Sequence, residues 1–158
     1  MRAGDVDHAV DGPDGPIPVP TRLYLKDLPT PALAETLGLE PHPEGGWYRQ
    51  TWASPVTVTL PDGRVRPTAT LIHFLLPAGE SSAWHRVRSD EVWLAHTGTV
   101  TLELGGSDDR PGAPERVAVE TQVVVPAGVW QRTVPADADA LVSCLVSPGF
   151  DFEDFELA

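Results

Sequence analysis

The chain has almost no lysine and almost no cysteine: Lys26 and Cys144 are the only examples of each. One cysteine excludes an internal disulfide framework. Its setting, Leu141-Val-Ser-Cys-Leu-Val146, is an apolar strand pattern rather than the electropositive surroundings of a reactive thiol. Positive charge is also scarce, with 11 basic against 23 acidic residues and a net charge of −12. Such a surface is repelled by nucleic-acid phosphates and anionic lipid heads, so neither nucleic acid nor membrane is expected as a partner. No run approaches the roughly 18 apolar residues that a membrane span needs, and Met1-Arg2 leads into no apolar signal segment. The expected location is the cytoplasm.

What is present fits one domain, since 158 residues can bury a core without disulfides or an obligatory metal. Residues 1–20 are rich in Asp, Gly and Pro and almost without large apolar side chains, which predicts a flexible N-terminal arm before a single domain over 21–158. In Leu28-Pro-Thr-Pro-Ala-Leu-Ala-Glu-Thr-Leu-Gly38, Thr30 is placed to cap a short helix. Pro31 suits its first position, Gly38 its stop, and Leu33 and Leu37 share one face.

From Trp47 onward, short β-branched and apolar runs alternate with turn clusters every eight to twelve residues, the pattern of an all-β sandwich or barrel. The expected strands are Trp47–Ala53, Val56–Leu60, Arg64–Arg66, Ala69–Leu76, Ser82–Val87, Glu91–His96, Val100–Leu104, Arg116–Val119, Val123–Val125, Trp130–Val134, Ala140–Val146 and Phe152–Leu157. Pro77-Ala-Gly79 and Pro126-Ala-Gly128 each end a strongly apolar strand, which suggests two related halves of one barrel.

The stretch from Gly79 to Gly98 spaces Gly79, His85, Glu91 and Gly98 by five, five and six intervening residues, and Gln131 follows Gly128 by three. This resembles the two motifs of the cupin barrels. In the metal-binding form of that pattern the first motif carries His-x-His and a later Glu, and the second ends in His. Here Val87 and Gln131 occupy two of those four positions. His85, Glu91 and Gln131 would make an unusual, weak site for a divalent metal, so no cofactor is expected as the rule. More narrowly, the chain is similar to cupins of the DUF985 (Cupin_5) type. The resemblance rests on Leu39-Glu-Pro-His-Pro-Glu-Gly-Gly-Trp-Tyr-Arg49, on Leu75 through Trp93, on Val124 through Gln131, and on Pro148-Gly-Phe-Asp-Phe-Glu-Asp-Phe-Glu-Leu157. It implies a double-stranded β-helix (jelly roll), homodimers and likeness to sugar epimerases, with no settled reaction.

Period two turns His85 and Val87 inward together, and likewise Glu91, Trp93 and Ala95, leaving Val92, Leu94 and His96 outside. A neutral His85 ring oriented by Glu91 would act as a general base near pH 7, so this dyad is the expected catalytic pair. Asp90 is expected to hold Arg86 or Arg88 or to stabilise its turn. Trp84, Trp93 and Trp130 flank the candidates and would form apolar walls around a ring-sized ligand. Arg49 would clamp a carboxylate or phosphate, or else bind a neighbouring acid; His73 would line the pocket or sit hydrogen-bonded in the core. Glu44-Gly45-Gly46 lacks the context of a phosphate loop and is expected to let the chain pass close over the barrel mouth. Three functions stay open. They are an isomerase, epimerase or lyase acting by proton abstraction on a small polar or ring-containing metabolite, a non-catalytic metabolite-binding protein, and a metal-dependent oxygenase or hydrolase using His85, Glu91 and Gln131.

Overall fold

The computed structural model describes residues 30–158. The expected arm over 1–20 lies outside the described residues. A short helix, α1 (Ala32–Leu37), precedes thirteen strands: β1 (Glu40–Pro41), β2 (Trp47–Ala53), β3 (Thr57–Thr59), β4 (Val65–Pro67), β5 (Thr70–Leu76), β6 (His85–Val87), β7 (Asp90–Thr97), β8 (Val100–Leu104), β9 (Glu115–Val119), β10 (Gln122–Val125), β11 (Gln131–Thr133), β12 (Ala140–Ser147) and β13 (Phe155–Leu157). They form a six-stranded sheet ordered β1-β2-β5-β12-β7-β10, a five-stranded sheet ordered β13-β6-β11-β8-β9, and the β3–β4 hairpin. This is the all-β architecture expected from the strand spacing, in the jelly-roll form that the cupin resemblance implies.

Alternation along the strands explains the core between the sheets. Phe74 and Leu76 from β5, Trp93 from β7, Val100 and Leu102 from β8, Val125 from β10 and Val142 and Cys144 from β12 are all buried there. Each side chain of this size contributes roughly 1.5–3 kcal/mol when fully removed from water. The two Pro-Ala-Gly bends are built alike. Gly79 and Gly128 take φ of 78° and 79°, conformations that disfavour a side chain. Asp139 Oδ1 accepts from the amide of Ala78 and Asp90 Oδ1 from that of Ala127, both at 2.8 Å. Asp90 thus serves its turn, one of the two roles expected of it.

Four local expectations need correction. Thr30 does not cap α1; Pro31 holds the N-cap position with no side-chain hydrogen bond, while Gly38 ends the helix in the left-handed region at φ 67° as anticipated. Leu33 faces solvent and Ala34 is the buried contact, packed with Leu39, Trp47 and Leu75, because so short a helix lies against the barrel by one turn only. The segment Ser82–Val87 is strand only over His85–Val87. Phe152–Asp154 is a 3₁₀ turn, started by Asp151 Oδ1 accepting from the Glu153 amide, and strand begins at Phe155. Among the described residues no helix is long and apolar enough to cross a membrane.

Candidate functional site

A cavity of about 400 Å³ opens between the sheets. The six-stranded sheet supplies Tyr48 and Gln50 (β2), Thr70 and Ile72 (β5), Cys144 and Val146 (β12) and Glu91 (β7), and the opposite sheet supplies His85 and Val87 (β6). The loop before β2 adds His42 and Glu44, and the chain around the 3₁₀ turn adds Phe150, Asp151, Phe152 and Phe155.

His85 lies in this cavity, but the partner expected for it is not the one it has. Its Nε2 is 2.7 Å from Glu44 Oε2, and its Nδ1 is 2.7 Å from the carbonyl oxygen of Ala83. A carbonyl only accepts, so Nδ1 carries a hydrogen; a carboxylate also accepts, so Nε2 carries one too. The ring is an imidazolium. Burial opposes that charge, but Glu44, with help from Glu91 and Ala83, outweighs it and raises the pKa from 6.5 to about 9. The neutral, Glu91-oriented general base expected at this position is therefore replaced by a Glu44–His85 ion pair. Phe155 stacks on the imidazole at 5.7 Å between centroids and 29° between planes.

Glu44 reaches His85 because two glycines follow it. Gly45, at φ 103°, brings its Cα so close to the chain leading into β6 that a Cβ would lie 2.7 Å from Ser81 O; at Gly46, φ 75°, a Cβ would lie 2.8 Å from the Phe74 ring and 2.9 Å from Leu75 O. The Glu44 carbonyl accepts from the Ala83 amide at 2.6 Å, and its amide donates to His42 Nδ1 at 3.1 Å. His42 is thereby an acceptor at Nδ1, and burial lowers its pKa. The loop does pass close over the barrel, as anticipated, and in doing so delivers a carboxylate into it.

Glu91 sits in the same cavity in a different state. Trp93 Nε1, a donor only, gives its hydrogen to Gln131 Oε1 at 2.9 Å, which turns the amide so that Nε2 donates to Glu91 Oε2 at 3.0 Å. Burial raises the Glu91 carboxyl from 4.5 to about 7, and Glu44 adds to the rise, while His85, Gln131 and the Cys144 thiol oppose it. Burial also pushes the Cys144 thiol up, as its apolar sequence setting implies.

The other expected residues lie elsewhere. Arg49, on the outer face of β2, donates to Leu37 O at 3.4 Å and so closes the C-terminal end of α1. His73 pairs with Arg49 and Ser143 in register, on the face opposite Ile72, and meets His96 edge-on at 6.2 Å. His96 bonds Ser143 Oγ at 2.6 Å, outside the cavity as expected. Trp84 lies under the Arg132 guanidinium at 4.5 Å, and Trp130 lies under Arg86 at 4.4 Å and donates to Asp108 O. These two do not line the cavity, and neither do the expected Gln131 and Trp93, which are buried behind Glu91 and reach the cavity only through it.

The residues left by the metal pattern do not fit a metal as arranged. Both nitrogens of His85 are engaged, and Gln131 presents its amide nitrogen, not its oxygen, toward Glu91. Among the described residues no group of three or more His, Cys, Asp or Glu is disposed to hold an ion.

The C-terminal wall is held by charge. Asp154 takes Arg64 Nη1 at 2.7 Å and Arg66 Nε at 3.5 Å, and Glu156 takes Arg86 Nε at 2.8 Å. Phe150, Phe152 and Phe155 contact one another edge-on at 4.9 to 6.2 Å, forming one face of the cavity.

With this geometry in hand, comparison with known proteins identifies the family. A model described as Cupin superfamily (DUF985) matches residues 31–158. The chain belongs to the DUF985 cupins. Among solved structures, this cupin is similar to a hypothetical protein from Leishmania major, with 34% identity, 79% of this chain and 84% of that chain covered, and a TM-score of 0.71. It is equally similar to a protein from Shewanella oneidensis, with 34% identity, 80% and 82% covered, and a TM-score of 0.70. KdgF from Halomonas sp. shares the fold alone, with 17% identity, 73% and 89% covered, and a TM-score of 0.53. No curated protein matches the chain significantly. Of the cavity residues that sequence reasoning missed, Glu44, Tyr48, Phe150, Phe152 and Phe155 fall in the two outlying DUF985 signatures, Leu39–Arg49 and Pro148–Leu157, which was the available signal, whereas Gln50, Thr70 and Ile72 lie outside them.

Proposed function

We propose that this cupin binds a small ring-containing metabolite in the inter-sheet cavity and moves a proton on it, as an isomerase, epimerase or lyase does. One observation carries the reading: a carboxyl held near neutrality, Glu91, shares a cavity with a protonated ring, His85. Both pKa values are raised together, so that near pH 7 the ring stays protonated while the carboxyl is poised to take up or release a proton, which suits the two to different roles in proton transfer. Glu91 in its ionised form takes a proton from carbon beside a carbonyl, and the electron pair moves onto the carbonyl oxygen. The oxyanion forms in the field of the His85 ring, whose two nitrogens stay on Glu44 and Ala83, and Glu91 returns the proton to the same or the neighbouring carbon. Gln131 and Trp93 hold the carboxyl in place. No step requires a cofactor.

The test is exchange of substrate hydrogen with solvent. Candidate keto and aldehyde sugars incubated with the protein in D2O are expected to gain deuterium beside the carbonyl, and Glu91→Gln is expected to abolish the gain while the fold persists. Binding without exchange by the native protein would favour the non-catalytic alternative, to which the engagement of both His85 nitrogens already lends weight.

A further inference from the structure

The cavity is built without a free positive charge. Among the described residues, no arginine or lysine lines it, whereas Glu44, Glu91 and Asp151 do, and its one cation, His85, is already matched by Glu44 at 2.7 Å. The nearby guanidinium of Arg66 does not line the cavity and faces three acids, Asp151, Glu153 and Asp154, at 3.9, 3.5 and 3.5 Å, which together exceed its charge. Arg49, the side chain that sequence reasoning would have used to clamp an anion, points away on the outer face. The wall formed by Phe150, Phe152 and Phe155 is apolar and offers an anion no hydrogen-bond donor.

We infer that the cavity selects ring compounds that carry no negative charge, neutral or cationic, and turns away carboxylates and phosphates of the same shape. This rests on the small-molecule reading above and narrows its substrate class. An anion entering would meet the carboxylates of Glu44 and Asp151 and find no uncommitted cation on the cavity wall to offset its charge. A hydroxyl or ammonium group in the same place finds acceptors instead: the carboxylates of Asp151 and Glu91, the amide of Gln50 and the hydroxyl of Thr70.

The test uses a library of ring fragments in matched threes, each ring carried as its alcohol, its carboxylate and its amine. The readout must report this cavity alone, because a second groove carries two arginines, Arg116 and Arg132, that share the single acid Glu103 and offer a competing site for anions. The indole N–H resonance of Trp93 serves, since Trp93 is coupled to Glu91 through Gln131. Alcohols and amines are expected to shift that resonance, with their matched carboxylates weaker by about tenfold or more, equivalent to 1.4 kcal/mol. Gln50→Arg, which places a cation on the cavity wall, is expected to bring the carboxylates back to within a few-fold of the alcohols. Carboxylates that bind the native cavity as well as their partners would overturn the charge selectivity and leave the small-molecule reading standing. A library in which no fragment of any charge moves the Trp93 resonance would overturn both.

Discussion

Replacing Glu44 by Gln removes the carboxylate from the His85 ring while keeping its size and a hydrogen-bonding head. In the native protein the His85 pKa stands at about 9 against 6.5 for a free ring, and that difference is worth about 3 kcal/mol of preference for the protonated form. Burial pushes the other way and Glu44 is the largest influence opposing it. In Glu44→Gln, burial prevails over the weaker help from Glu91 and Ala83, and the ring is expected to titrate below 6.5. At pH 7 the native ring is charged and the variant ring neutral. The assay is the pH dependence of the His85 ring ¹⁵N shifts between pH 5 and 10. Stability follows the same linkage. A group whose folded pKa is raised contributes stability that is full below 6.5 and is lost as pH rises through 9, so native stability should decline by about 3 kcal/mol over that window. In Glu44→Gln this decline should vanish from denaturant midpoints measured at pH 6 and pH 9.5. A variant ring that still titrates near 9 would refute the reasoning and return the control of His85 to Glu91.

Three further outcomes follow from the same geometry. Glu91, raised from 4.5 to about 7, should add its own loss of stability as pH rises through that interval, and the fluorescence of Trp93 should change with a midpoint near 7; Glu91→Gln should abolish both signals. Gly45→Ala forces a Cβ against Ser81 O in a left-handed backbone, so it should destabilise by about 2 kcal/mol and, by displacing Glu44, lower the His85 pKa in the same NMR titration. Asp154→Ala leaves the buried Arg66 guanidinium without its buried partner and should cost about 3 kcal/mol in denaturant unfolding. Because Asp154 lies beside Phe155, the same variant should also loosen the stack on His85 and weaken fragment binding reported by Trp93.

The division between what can and cannot be read in the sequence follows the range of the interactions. Strand positions come from period-two alternation, a local property, and β2 and β8 run from Trp47 to Ala53 and from Val100 to Leu104 as that alternation predicts. The inward set His85, Val87, Glu91 and Trp93 comes from the same rule, since side chains on one strand face must share an environment. Trp84 and Trp130 depart from expectation for a related reason: adjacency to His85 and Gln131 along a strand sends a side chain to the opposite face, where Arg132 and Arg86 cover them. Arg49 departs from it because nothing local shows that α1 ends within its reach.

Glu44 is hidden for a deeper reason. It is separated from His85 by 40 residues, and no periodicity links a loop carboxylate to a strand histidine; only the closure of the barrel brings them within 2.7 Å. Yet its charge alters both titratable residues that the motif makes legible. With Glu91 alone, His85 would be a neutral base and Glu91 its ionised orienter. With Glu44 present the ring stays protonated, and Glu44 adds to the rise that burial imposes on the Glu91 carboxyl. Under the proposed function, the two residues that the motif identifies exchange roles through a third that the motif does not contain. The double glycine beside Glu44 is what permits this, because neither Gly45 nor Gly46 has room for a side chain where the loop crosses Ser81 and Phe74. A small-residue pair after an acidic residue, in a loop that must cross a barrel mouth, is thus a physical signal for a carboxylate delivered inward.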